Sequence, residues 1–231
     1  MSHSKKTPTK IIEAGLPRHT RRFRQIRLEI AAEAARIIAT EGQHNYHAAK
    51  KKAAERIGTS ERLALPSNSE VEEALRRYQG LYGGTAHVEN LEQLRCIAVD
   101  AMYYLEKYNP RLVGPVLDGT ANEHSRITLH VFSDSIESVI LHFLESGTPF
   151  SQEQRQIRWY SGGHRTMPLV VFELQDSVIE LMIFDEVHLR QAPPSPIDGK
   201  PQRRATLTDA ECLLTEVVSP ALLAEPAIPT A

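Results

Sequence analysis

Residues 112–132 carry the chemistry most worth following in this chain. Alternation along their second half places Arg126, Thr128 and His130 on one face of a strand. Arg126 is a permanent cation and Thr128 a neutral hydroxyl, while His130 has the ring chemistry of a general base or metal ligand. His124 lies in the turn before them, so His124, His130 and a carboxylate from elsewhere form one candidate transition-metal set. The competing expectation for both rings is a solvated or hydrogen-bonded structural histidine. Asp118, Glu123 and Asp134 flank the stretch, and Glu173, Glu180 and Asp185 fall on a downstream hairpin. On its last strand Glu180 shares a face with Met182 and Phe184, and an ordinary exposed charge is the alternative reading for Glu173 or Glu180. No Gly-x-Ser-x-Gly elbow and no Gly-x-x-x-x-Gly-Lys-Ser/Thr or Gly-x-Gly-x-x-Gly loop is present.

The elements that must position these groups are legible from periodicity. Phe23, Ile26, Ile30, Ala34, Ile37 and Ile38 recur every three or four residues, the stripe of an amphipathic helix that Gly42 ends. A second helix is predicted over 46–57, closed by Gly58. Ser67 or Ser69, each with a Glu three residues later, starts a third, with Val71, Ala74, Leu75, Tyr78 and Leu81 inward. Gly83-Gly84 marks a boundary. A fourth helix over 86–107 turns Leu91, Leu94, Ile97, Ala98, Ala101, Met102 and Leu105 inward and stops at Asn109-Pro110. Strands are expected at 112–117, 127–132, 155–160, 168–174 and 178–185, a fifth helix between Ile136 and Gly147, and a last helix over 208–217.

The order predicts an α+β protein: a flexible basic arm at 1–18, a helical module at 19–84, a mixed-sheet domain at 85–218 and a disordered tail at 219–231. Charge is divided between the ends. Residues 1–62 hold 14 Lys/Arg and 6 Asp/Glu, whereas the remainder holds 13 and 23. Either the front meets a polyanion or the halves attract each other. No run of about 18 apolar residues predicts a membrane span. Without an apolar segment behind Met1-Ser-His-Ser-Lys-Lys, a cytoplasmic location is expected. Cys96 and Cys212 are expected as free buried thiols.

The passage Glu-Lys-Tyr-Asn-Pro-Arg-Leu-Val-Gly114, Asp-Gly-Thr120-Ala and His-Ser125-x-Ile-x-Leu resembles the helix-to-second-strand region of the nucleotidyltransferase-fold family. Gly114-Pro115 stands where that family has Gly-Ser, and Ser125-Arg126-Ile127-Thr128-Leu129 where it has Ser-Asp-x-Asp-Leu. The resemblance implies a degenerate member whose two metal-binding acids are replaced by Arg126 and Thr128. It implies a nucleotide or phosphate pocket shaped by Gly114, Thr120 and Ser125, with Arg126 on the polyanion and Thr128 and His130 on the same face. Glu173 or Glu180 would be the remnant of the third acid. Mg²⁺ is implied only if the site is active; no other cofactor is indicated. The expected partner is a nucleotide or an RNA end.

Residues 27–60 are also loosely similar to the opening of TetR-type DNA-binding domains, through Ile-Ile-Ala-Thr-Glu-Gly and Ala-Ala-Glu-Arg-Ile-Gly-Thr-Ser. They depart at Leu65-Pro66, where a recognition helix should begin. Sequence-independent phosphate contacts by Arg21, Arg22, Arg24, Lys50, Lys51 and Lys52 are the alternative route to nucleic acid.

Overall fold

The structure, a computed structural model, describes residues 18–43, 45–59 and 65–218. The expected arm and tail lie outside them except for Arg18. The described chain is mixed α+β and divides into two compact units, with the boundary between Ala74 and Leu75. The division falls inside the third helix, whereas Gly83-Gly84 forms the junction between the third and fourth.

In the first unit, α1 (Arg18–Glu41) packs on α2 (Tyr46–Ile57). Ala31, Ala34 and Ala35 of α1 and Ala49, Ala53 and Ala54 of α2 are all buried, as are Ile30 and Ile37. Small side chains at the crossing let the helix axes approach closely. Asn45 caps α2 by accepting from the His47 and Ala48 amides, and Gly58 closes it in the left-handed region at φ 74°. α3 (Asn68–Tyr82) starts with a reciprocal cap: the Glu70 amide donates to Ser67 Oγ, and the Ser67 amide to Glu70 Oε2. Ser67, rather than Ser69, is therefore the cap. Leu81, expected to face inward, is 77% exposed because it lies on the last turn beside the exposed Tyr82.

The second unit continues with α4 (Gly84–Tyr104) and a 3₁₀ turn at Glu106–Tyr108. β1 (Arg111–Val113), α5 (Pro115–Asp118), β2 (Ile127–Phe132) and α6 (Ile136–Ser146) follow. Next come β3 (Phe150–Arg158), β4 (His164–Leu174) and β5 (Ser177–Phe184), a 3₁₀ turn at Glu186–Leu189, and α7 (Leu207–Val218). The strand expected over 112–117 stops at Val113. Gly114 adopts φ 75°, ψ −154°, a conformation open to glycine, and Pro115 then begins a helical turn.

The sheet order is β1-β2-β5-β4-β3, with β2 and β5 parallel and the other pairs antiparallel. One face buries Ile127, Leu129 and Val131 of β2 with Ile179, Leu181 and Ile183 of β5 against α4, α6 and α7. The other carries Thr128, His130 and Phe132 beside Glu180, Met182 and Phe184, since alternate residues of a strand point to opposite faces. This second face holds the candidate site. Cys96 and Cys212 are free but exposed on α4 and α7, contrary to the burial expected of them: both helices turn other residues to the core, including Ile97 and Ala98 on α4 and Ala210 on α7.

Candidate functional site

At the start of β2, Arg126 reaches across to β5. Thr128 pairs with Glu180 in the parallel register, and Arg126 Nη1 donates to Glu180 Oε1 at 2.9 Å. A second guanidinium completes the arrangement. Arg155 of β3 donates from Nη1 to Oε2 and from Nη2 to Oε1, both at 2.7 Å. The Glu180 side chain is only 6% exposed, whereas those of Arg126 and Arg155 are 49% and 40% exposed. Burial by itself would raise the Glu180 carboxyl, but Arg155 and then Arg126 hold it below its ordinary range. The three groups carry a net charge of +1. Both guanidinium groups are oriented by the carboxylate beneath them, and each keeps N–H groups beyond those bonded to Glu180.

This donor set does not fit Mg²⁺, which favours oxygen ligands and usually one or two carboxylates. The acid positions implied by the resemblance hold a cation and a neutral hydroxyl, and both Glu180 oxygens are already taken by guanidinium donors. Glu173 does not bond to them; it is exposed on β4, opposite Val178 and two residues along from the Val171–Glu180 pair. His124 and His130 do not meet either. His124 is exposed and lies 3.5 Å from Glu123, and among the described residues no His/Cys/Asp/Glu group is arranged to hold a metal.

His130 is 1% exposed and accepts a hydrogen bond from Arg204 Nε at 3.1 Å through Nδ1. Arg204 also donates from Nη1 to the His188 carbonyl at 2.7 Å and lies over the Phe132 and Phe184 rings. Burial, then Arg111, bring the Arg204 guanidinium down to about 10, so it remains charged at neutral pH. Burial, then the Arg204 charge, push the His130 imidazole well below its usual 6.5. His130 is thus a buried neutral acceptor rather than a group facing a ligand. A histidine whose folded value is depressed binds fewer protons folded than unfolded below pH 6.5, so stability falls as pH drops through that point. The expected slope reaches about 1.4 kcal/mol per pH unit. Urea unfolding of the wild type and His130→Leu between pH 7.5 and 5.0 measures it: the variant's stability should lack this component, and parallel profiles would refute the assignment.

The remaining expected pocket residues serve the turn into β2. Thr120 is 4% exposed; its amide donates to the Pro115 carbonyl and its carbonyl accepts from Gln79 Nε2. Ser125 Oγ accepts from the Asn122 amide and donates to Asn122 Oδ1. Both are used in closing the turn. Gly114 lies one residue beyond the Val113–Thr128 pair, at the same end of β2 as Arg126.

The basic residues of the first unit divide. Arg21, Arg22, Arg24 and Lys51 are exposed. Lys50 is half-buried and donates to the Pro66 carbonyl and Asn68 Oδ1, while Lys52 pairs with Glu41 at 2.7 Å. Arg56 and then Lys52 hold the Glu41 carboxyl down to about 2. Lys50 and Lys52 therefore tie the helices together instead of joining Lys51 in one free patch.

Sequence reasoning missed Arg155 and Arg204. Arg155 had a readable signal, because alternation along β3 places it on the face of Ile157. Arg204 had none: it lies in a Pro-rich segment without periodicity. No protein-family model matches the chain, and no curated protein matches it. No helix of the described residues is long and apolar enough to cross a membrane.

Proposed function

We propose that the protein is a degenerate nucleotidyltransferase-like protein that binds a nucleotide or an RNA end through its phosphates, without a metal ion. The observation carrying this reading is the pair of half-exposed guanidinium groups, Arg126 and Arg155, oriented by one buried carboxylate. Fixed arginines suit phosphate because their planar N–H forks match its oxygens. Orientation in advance lowers the entropy cost of binding. The site is read as one of recognition rather than transfer. The two acids that would share metal ions and activate a hydroxyl are replaced, and the Glu180 oxygens are occupied.

Calorimetric titration with ATP, GTP, CTP and UTP, each in Mg²⁺ and in EDTA, tests the reading. At least one triphosphate is expected to bind with the same affinity, within about twofold, in both buffers. Binding that requires Mg²⁺, or no binding of any of the four, would contradict it. Strongly salt-dependent RNA binding that disappears on removal of residues 1–62 would instead assign function to the basic helices.

A further inference from the structure

At the opposite end of β2 and β5 from the arginine pair the chain forms a cleft of about 490 Å³, whose chemistry is the reverse of that pair. It lies beyond the carboxyl ends of the sheet's parallel pair, and its volume falls in the small-molecule range. Its floor is Trp159, 7% exposed and the single tryptophan of the chain, with the Phe184 ring and Met167. Its rim carries Asp134, Glu137 and Asp185. None of these three makes an ion pair with Lys or Arg among the described residues; Asp185 is 3.8 Å from His188 Nδ1.

The cleft already holds a cation of its own. The exposed Arg165 places its guanidinium carbon 4.0 Å from the Trp159 ring centroid, and its Nη1 lies 3.3 Å from His188 Nε2. Arginine only donates, so Nε2 is the acceptor in that contact. His188 in turn stands edge-on to Trp159, with ring centroids 5.3 Å apart. Arg165 thus shows which interactions the cleft offers: an aromatic face for a positive charge, and an imidazole acceptor for its N–H. Three carboxylates against one arginine leave the lining with an acidic excess, which repels phosphates and attracts cations.

The geometry points to this cleft as a binding site for a small organic cation bearing an alkylammonium group, which displaces Arg165 from Trp159 and takes Asp134 and Asp185 as counter-charges. An ammonium over a tryptophan face is favoured by the ring quadrupole, most when partly desolvated. Arg165 is exposed, so its side chain can swing into water. The proposal is independent of the nucleotide reading, since it uses none of Arg126, Arg155 or Glu180.

Titration of the full chain with putrescine, spermidine and tetramethylammonium, at constant ionic strength set with NaCl, tests it by calorimetry and by Trp159 fluorescence. At least one amine should bind saturably and change the emission. Arg165→Ala, by vacating the ring, should tighten that binding several-fold, and Asp134→Asn with Asp185→Asn should weaken it at least tenfold. Circular dichroism establishes that the variants are folded, and Asp185→Asn alone, an exposed change, gives the weakening arm if the double variant is not. Absence of saturable binding by all three amines, weaker binding in Arg165→Ala, or affinity unchanged by loss of the acids would each overturn the proposal.

Discussion

Arg155→Ala is expected to destabilise the protein by about 3 kcal/mol, more than Glu180→Gln at the centre of the same cluster. The asymmetry follows from exposure. Arg155 supplies two of the three N–H bonds to a carboxylate that is 6% exposed, so its loss leaves a buried charge with the single Arg126 bond. Glu180→Gln strands only guanidinium groups that are 49% and 40% exposed and can be rehydrated, for a cost of about 1 kcal/mol. Acid sharpens the contrast. The Glu180 carboxyl is held below its ordinary 4.5, so it contributes stability above that pH which is lost as pH falls through the folded value. In Arg155→Ala, burial is opposed by Arg126 alone and the loss should begin at higher pH. Urea unfolding at pH 7 and along an acid series measures both effects, and a larger cost for Glu180→Gln than for Arg155→Ala would refute the account of the cluster.

Phe143→Ala is expected to cost more still, about 4 kcal/mol. Phe143 is fully buried on α6, with its ring centroid 4.9 Å from Phe172, 5.4 Å from Phe150 and 5.7 Å from Tyr104. It joins α4, α6, β3 and β4, so truncation removes apolar transfer energy and leaves a cavity walled by rings held on separate elements. Those walls cannot collapse together without moving the sheet. Urea denaturation of the variant checks the value, and a loss below about 1.5 kcal/mol would mean that the core repacks around the gap.

The helices were readable because their signals are local. The stripe from Phe23 to Ile38, the Ser67–Glu70 cap and the glycines at 42, 58 and 147 act within a few residues of themselves. Strand alternation likewise put Arg126, Thr128 and His130 on one face, and Glu180 with Met182 and Phe184 on another strand. Which strands become neighbours is not local. The parallel β2–β5 pairing that brings Thr128 beside Glu180 depends on a crossover through α6, β3 and β4. Arg155 and Glu180 are 25 residues apart in the chain, and their meeting had no sequence signature. The nucleotidyltransferase resemblance is what implies Thr120 and Ser125 at a ligand, and turn residues and phosphate-binding residues are of the same types. Only the observed bonds to Pro115, Gln79 and Asn122 show what those backbone and hydroxyl groups are used for. Asp134 and Asp185 stand out in the sequence as carboxylates, but their convergence with Trp159 and Arg165 in one cleft has no local signature.

The most direct test of an arginine-built, metal-independent phosphate site is the dissociation constant of the best-binding triphosphate in EDTA, for wild type and Arg126→Ala, with the corresponding phosphate-free nucleoside as control. Triphosphate binding is expected to be at least tenfold weaker in the variant, about 1.4 kcal/mol, with little change for the nucleoside. Equal triphosphate affinity in the two proteins would contradict it.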